Sequence, residues 1–341
     1  MQIDAENLAA EQEADYRHYR ICGTPAELGA AMAAQGRLLL PPAELGYDGT
    51  KVAQLSYARD CRALTAEHYP ALVAENDAYA QASGMTVDDT LWHYALGVTG
   101  GCSGIAVRTA DGMVLGRNYD FFYFESRRHL VETRPAAGHA HIGMHEGLAG
   151  GRFDGMNEHG LFVSFNGAGE HPDPAPVGLA FHHLVRYLLE HCTSVAEARD
   201  ALLRLPVKEA KSYLLVDAND ACVVEVHPQR RAVREPVDGV LVMTNHFLNP
   251  DMVALCPPWP NSLSRMQRLQ ADAPRGLDAT ASLTALQTLL AEHEAPVCGH
   301  VDGMATFWST VAHPQSGLAR YCLGAPCRNR WQDYRLGGEA R

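Results

Sequence analysis

The sequence predicts an α+β protein with two β-sheets sandwiched between helical layers. Residues 25–96 read as helical, because Ala, Leu, Glu and Gln dominate and β-branched residues are sparse. At Val98-Thr99-Gly100-Gly101 the texture changes to short strands punctuated by Gly and Pro. From there strands, helices, strands and helices follow in blocks, the order expected of stacked sheets covered by helices.

Taken in order, Leu55, Cys61, Leu64, Tyr69, Leu72 and Tyr79 supply the buried faces of one or two long helices. Gly84 ends that run, and Thr86-Val87-Asp88-Asp89 opens a shorter helix that stops at Gly97. Strands are expected at about 105–107, 113–118, 129–133, 139–145 and 161–165, with Asp111-Gly112 as a two-residue hairpin turn. Pro172-Asp173-Pro174-Ala175-Pro176 reads as a surface connector. Two helices follow, 179–191 and 195–203, the second capped by Thr193-Ser194. Strands return at 212–217, 221–226 and 239–244, then helices at 262–270 and 281–293, then strands at 305–313 and 318–323.

The chain has 341 residues, enough for one large or two small domains. Lys plus Arg number 28 and Asp plus Glu 40, a net charge of -12 that argues against nucleic acid and anionic membranes as partners. No apolar run is long enough to span a bilayer, and the first residues carry no signal-peptide pattern. Nine cysteines without paired spacings suggest reduced thiols and a cytoplasmic setting.

The chemistry concentrates at Gly100-Gly101-Cys102-Ser103-Gly104. A cysteine that opens a hairpin after a Gly-rich turn is well placed to become a new N-terminus when the Gly101–Cys102 bond is cut. Its freed α-amine, with an ordinary pKa of about 7.7–8.0, can then serve as the base for its own thiol. Glycine at 101 suits this by tolerating the strained backbone that the thiol's attack requires. Arg117-Asn118-Tyr119-Asp120 lies on the partner strand, so hairpin pairing brings Asp120 and Arg117 to flank the thiol. A carboxylate there can position the amine, and a guanidinium can lower the thiol pKa. Asn245, ending the apolar run Val240-Leu241-Val242-Met243, can offer a side-chain N–H to an oxyanion.

Other features have weaker claims. His139, His141 and His145 share one face of a strand and could bind zinc, with Ala140, Ile142 and Met144 turned into the core. A polar strand face that borders the substrate cleft is the preferred reading, because no matching carboxylate or cysteine ligand is nearby. His182 and His183 read as surface residues. Phe121-Phe122-Tyr123-Phe124 either packs the core or lines an apolar substrate pocket. Cys298-Gly299-His300 suggests a ligand pair, but its spacing matches no common zinc pattern. Cys192, Cys222 and Cys322 read as inert core thiols.

Together these motifs resemble the N-terminal-nucleophile hydrolases, and within them the isopenicillin N acyltransferase-like autoproteolytic acyltransferases and hydrolases. Bile-salt hydrolase and penicillin V acylase are more distant relatives. The resemblance rests on Gly23-Thr24-Pro25, Gly101-Cys102, Arg117-Asn118-Tyr119-Asp120, Gly155-Met156-Asn157-Glu158-His159-Gly160-Leu161, Thr244-Asn245 and Thr306-Phe307-Trp308-Ser309. It implies a four-layer αββα sandwich, a helical pro-segment of residues 1–101 retained as one subunit, and a catalytic segment of 102–341, together forming one composite domain. It also implies Cys102 as nucleophile, Asp120 orienting the amine, Arg117 beside the thiol and Asn245 in the oxyanion hole. A second oxyanion donor falls within Asn166-Gly167-Ala168. Arg265 resembles an active-site arginine of the bile-salt hydrolases, and the Gly155–Leu161 motif reads as a hairpin that shapes the sheet.

The expected activity is hydrolysis of a linear amide in a small molecule through a Cys102 thioester, with no cofactor. Hydrolysis is preferred because water is an abundant competitor at an accessible thioester. The alternative within the family is N-acyl transfer with a CoA thioester as co-substrate, and that of another class is zinc binding by His139, His141 and His145. A homo-oligomer is left open.

Overall fold

The computed structural model describes residues 5–36, 47–48, 50–97, 101–122, 127–168, 175–300 and 304–336. The N-terminal part contains α1 (Ala5–Glu13), β1 (His18–Gly23), α2 (Pro25–Ala34), α3 (Val52–His68), α4 (Pro70–Ala82) and α5 (Trp92–Ala95). Strands β2 (Gly101–Thr109), β3 (Gly112–Phe122), β4 (Arg128–Pro135), β5 (His141–Glu146), β6 (Asp154–Asn157) and β7 (Phe162–Gly167) follow. Next come α6 (Phe181–His191), α7 (Val195–Arg204), β8 (Lys211–Val216), β9 (Ala221–His227), β10 (Arg230–Arg234) and β11 (Val240–Met243). The chain continues through α8 (Pro260–Ala271), α9 (Ala279–Leu290), β12 (Met304–His313), β13 (Leu318–Leu323) and β14 (Trp331–Tyr334).

Among the described residues the strands form two sheets. One runs β1-β4-β5-β6-β7-β8-β9-β10 and the other β11-β2-β3-β12-β13-β14. Helices α6 and α7 cover the outer face of the eight-stranded sheet, and α8 and α9 that of the six-stranded sheet. The result is the four-layer αββα sandwich.

Alternation along each strand assigns side chains to layers. On β2 and β3, Ile105, Val107 and Val114 pack with Leu283, Leu286 and Leu290 of α9. The neighbours of opposite parity, Cys102, Ala106, Met113, Leu115 and Tyr119, join the main core between the sheets. A side chain at Gly104 would meet Leu214 of the other sheet. Cys102 is thus placed in the layer between the sheets by parity alone.

The N-terminal part is not purely helical, which corrects the sequence reading. β1 pairs in parallel with β4, so this segment supplies an edge strand of the larger sheet. The run His18-Tyr19-Arg20-Ile21 is too short and too charged to announce a strand, and only β4 beside it decides its conformation. Thr24 of the Gly-Thr-Pro motif caps α2, with Glu27 completing a capping box and Pro25 in the first turn. The β2–β3 turn is Ala110-Asp111, with Thr109 opposite Gly112, whose φ of 106° favours glycine. The short strands β6, β10 and β14 were also not anticipated as separate elements.

All nine cysteines are free thiols. No helix among the described residues is long and apolar enough to cross a membrane. Tyr123 and Pro172–Pro174 of the expected connector lie outside the described residues.

Candidate active site

Cys102 sits at the start of β2, held between β3 and β11. Gly101 pairs with Asp120, Cys102 with Tyr119, and Gly104 with Arg117. On the other side Met243, the last residue of β11, pairs with Gly104, so Thr244 and Asn245 continue the chain past Cys102. The hairpin therefore brings Asp120 and Arg117 to the thiol, as the sequence predicts, and strand pairing adds Asn245.

Two close contacts hold the Cys102 main chain. Its N–H donates to Asn245 Oδ1 at 2.8 Å. Arg265, from α8, donates to the Cys102 carbonyl at 2.6 Å, to Ser103 Oγ at 2.9 Å and to Asn245 Oδ1 at 2.8 Å. Its Nε is held by Asn261 Oδ1 at 2.8 Å. Asn245 Nδ2 donates to the Gly167 carbonyl at 2.9 Å. With two donors at one end of the carboxamide and a carbonyl at the other, its orientation is fixed by its neighbours.

The Cys102 thiol is 1% exposed, and its hydrogen-bonding contact is the Asp120 carbonyl at 3.9 Å. Burial pushes its pKa up to about 11, against the pull of the Arg117 charge. Such a thiol needs a base before it can attack. Arg117 lies fully buried between the sheets, where Nη1 pairs with Asp154 at 2.6 Å and Nη2 donates to the Phe165 carbonyl at 2.9 Å. Trp308 Nε1 also donates to Asp154, at 2.8 Å. Arg117 thus reaches the thiol through its field rather than by a hydrogen bond.

The Asp120 carboxyl accepts from Thr306 Oγ1 at 2.6 Å. Burial pushes its pKa up to about 6, while the charge of Arg265, the Thr306 hydroxyl and the charge of Arg117 hold it down. Burial lowers the Arg265 pKa, and the charges of Asp120 and Cys102 oppose this.

Space around Gly101 also bears on the choice of glycine there. A Cβ at this position would come within 3.1 Å of Met304 Sδ and 3.8 Å of Asp120 Cβ. A larger residue at 101 would need the flexible Met304 side chain to give by a few tenths of an ångström, while Asp120 is at ordinary contact distance.

The other expected positions separate. Asn166 Nδ2 donates to the Met243 and Thr244 carbonyls, both at 3.2 Å, which ties β7 to the end of β11. Gly167 reaches Asn245 through its carbonyl, whereas Ala168 packs into a small apolar cluster with Phe247, Met252 and Cys256. Phe122 is the last residue of β3.

The motif residues outside the centre have structural duties. Asn118 Nδ2 donates to the Leu290 and Val297 carbonyls at 2.8 Å, and its Oδ1 accepts from Ser309. Asn157 Oδ1 closes the β6–β7 hairpin by accepting from His159 N and Leu161 N, and its Nδ2 reaches the Leu189 and Cys192 carbonyls. The sequence reading missed Thr306, Ser103 and Ser262, whose hydroxyl accepts from Asn245 N at 2.9 Å. Thr306 and Ser103 lie inside quoted motifs, but their partners, Asp120 and Arg265, are remote in sequence.

The three histidines of the zinc alternative do not converge. Among the described residues, neither His141 nor His145 belongs to any cluster with ligand atoms in mutual reach, and His139 instead neighbours Glu158 and His159. His141 and His145 are fully buried on β5, while Ile142 and Met144 do lie in the main core. His182 and His183, expected at the surface, are also fully buried on α6.

An αββα sandwich with a cysteine opening an inner strand, flanked by Asp120, Asn245 and Arg265, defines an N-terminal-nucleophile hydrolase type of protein. The family model for acyl-coenzyme A:6-aminopenicillanic acid acyl-transferase matches residues 107–328, well over half of the chain. The chain belongs to that family and is an enzyme of hydrolase or acyltransferase type. The match includes Asp120, Asn245 and Arg265 and begins beyond Cys102. The chain is 26% identical over 276 residues to the 40 kDa form of acyl-coenzyme A:6-aminopenicillanic-acid-acyltransferase of Emericella nidulans, covering 74% of this chain and 76% of that one. Among solved structures it is similar to a Caenorhabditis elegans N-acylethanolamine-hydrolyzing acid amidase ortholog, with 17% identity, TM-score 0.47, and coverage of 63% of this chain and 93% of that one. It is also similar to a mutant of conjugated bile acid hydrolase from Clostridium perfringens, with 14% identity, TM-score 0.44, and coverage of 69% and 96%.

Proposed function

We propose that the chain is a self-processing cysteine amidohydrolase that cleaves a linear amide C–N bond of a small molecule through a thioester on Cys102. The observation that carries this reading is the 2.8 Å bond from Cys102 N to Asn245 Oδ1, beside Arg265 on the Cys102 carbonyl. Every buried main-chain N–H needs an acceptor, but this one takes the side chain of Asn245, itself held by Arg265, so the nitrogen that cleavage would free already has a fixed polar partner.

In processing, Cys102 Sγ bonds to the Gly101 carbonyl carbon, the Gly101–Cys102 C–N bond breaks, and the departing nitrogen takes a proton. Water then splits the thioester, leaving a Gly101 carboxylate, a free thiol and a free α-amine. The fragments 1–101 and 102–341 stay together because β1 remains paired with β4. In turnover the amine removes the thiol proton, with Asn245 Oδ1 fixing the direction of its lone pair. The thiolate attacks the substrate carbonyl, and the protonated Cys102 amine returns its proton to the leaving amine. Water, activated by the same amine, resolves the thioester. Asp120 keeps the Cys102 amine charge in place, and the Asn245 amide supplies a donor to the oxyanion. Nine free thiols fit a reducing, cytoplasmic setting.

The name of the Emericella nidulans relative favours a second reading, in which an amine rather than water resolves the thioester and a CoA thioester is the acyl donor. Intact mass decides the shared step: wild-type protein yields two fragments split before Cys102, and Cys102→Ala yields one chain. A wild type that stays uncut yet hydrolyses amides at full rate overturns the free-amine mechanism. Product analysis with acyl-CoA plus a panel of amines then separates transfer from hydrolysis.

A further inference from the structure

Beside the Thr306–Asp120 contact, at the β12 side of β3, four soft donors meet. His293 follows α9, Cys298 and His300 lie in the loop before β12, and Cys327 stands in the turn between β13 and β14. Their ligand atoms all lie within 4.8 Å of one another. His300 Nε2 is 3.2 Å from Cys298 Sγ and 3.2 Å from Cys327 Sγ. His293 Nε2 is shielded from solvent without a hydrogen-bond partner of normal geometry among the described residues.

We propose that His293, Cys298, His300 and Cys327 bind one zinc-class divalent cation in a closed tetrahedral site. Two thiolates and two imidazoles with no carboxylate among them are the donor set that selects zinc. Zinc–sulfur bonds of about 2.3 Å and zinc–nitrogen bonds of about 2.0–2.1 Å give a tetrahedral S···N edge of about 3.6 Å. The 3.2 Å separations therefore need only a few tenths of an ångström of spreading to admit the ion. A Cys298–Cys327 disulfide would leave both imidazoles unused, whereas His300 Nε2 stands equidistant from the two sulfurs.

Arg328 Nη1 lies 3.3 Å from His300 Nδ1. A guanidinium only donates, so Nδ1 accepts there and Nε2 carries the ring proton. Metal on Nε2 moves that proton to Nδ1, so Arg328 releases the ring and keeps Glu11, with which it already pairs.

Four protein ligands leave no open position, so the ion is structural. Its place gives it a use at the active site. Gly299, between two ligands, accepts from Thr306 N at 3.1 Å and donates to Thr306 Oγ1 at 2.9 Å. Thr306 Oγ1 in turn donates to Asp120. The cation would lock the loop that sets Thr306, and through it the Asp120 carboxyl. The site stands whether or not the proposed reaction does, since metal content is measured without substrate.

The test is elemental analysis of the purified full chain, as isolated and after zinc reconstitution under reducing conditions, with cobalt exchange of the wild type. One zinc per chain is expected, together with the intense visible absorption and sulfur-to-metal charge-transfer band of tetrahedral cobalt with thiolate ligands. Cys298→Ser with Cys327→Ser should lose the metal. If that variant does not fold, the cobalt spectrum of the wild type decides alone, because octahedral or thiolate-free cobalt contradicts the site. A reconstituted wild type holding less than a tenth of an equivalent, a folded double variant that keeps its zinc, or a Cys298–Cys327 disulfide in reduced preparations overturns the proposal.

Discussion

Arg265→Met removes the guanidinium that joins Cys102, Ser103, Asn245 and Asn261 while keeping most of the side-chain volume. Four hydrogen bonds disappear, and each bond from a charged donor contributes about 1.5–3 kcal/mol, a gross loss of about 6–12 kcal/mol. The variant also recovers the cost of burying the charge, a cost evident in the lowered Arg265 pKa. The net destabilisation is therefore about 3–5 kcal/mol, the range for removing one partner from a buried charged cluster. Activity should suffer beyond stability. Asn245 Oδ1 loses one of its two donors and the Cys102 carbonyl loses its clamp, so the nucleophile and its base drift out of register. A rate loss of roughly 10²–10³ follows, comparable to losing an oxyanion donor. Asp120 loses its largest favourable charge partner, so its pKa rises above about 6. The assay is intact-mass kinetics of self-processing, then turnover on the processed fraction across pH. Near-normal processing and turnover, with only a lower melting temperature, would refute the argument and leave Arg265 as a brace for α8.

Asn245→Ala should lower turnover by roughly 10²–10³ with little change in KM, measured on processed enzyme, because its amide acts mainly on the oxyanion. Normal turnover with a depressed melting temperature would make it a strand terminator. Asp120→Asn should impair processing or turnover severely, and it also carries a stability signature. The folded chain holds this proton up to about pH 6 against an ordinary value of 3.8, so stability falls as pH rises through that window and returns on acidification. In a Cys102→Ala background the melting-temperature difference should shift in favour of Asp120→Asn between about pH 4 and 6, and a flat difference contradicts the buried carboxyl. Arg186 binds Glu75 of α4 through two 2.7 Å bonds and Glu190 through a third, so it links the two sides of the expected cut. Arg186→Ala should cost about 3–5 kcal/mol and loosen fragment 1–101, read by thermal unfolding and by size exclusion in mild urea, whereas an unchanged melting temperature means that desolvation cancels the pair.

Local signals are enough for the layers and for the face on which Cys102 lies. Alternation along 105–107 and 113–118, a tight turn between them and blocks of helix and strand are local signals, set by side-chain period and backbone preference. They fix which way Cys102 points, and hairpin pairing alone carries Asp120 and Arg117 to it. The remaining contacts come from packing, because they join residues far apart in the chain. Arg265 reaches Cys102 across 163 positions and Thr306 reaches Asp120 across 186, and no local pattern encodes such meetings. Met304 crowds Gly101 from β12, a contact that the local sequence around the junction does not announce. β1 is a strand because β4 lies beside it, although its residues carry little apolar signal. Cys298 and His300 look like an unmatched pair until Cys327 and His293 arrive from other elements. Local preference chooses the elements, but the packing of remote elements chooses which polar groups meet in a buried layer, where each contact is strong enough to do chemistry.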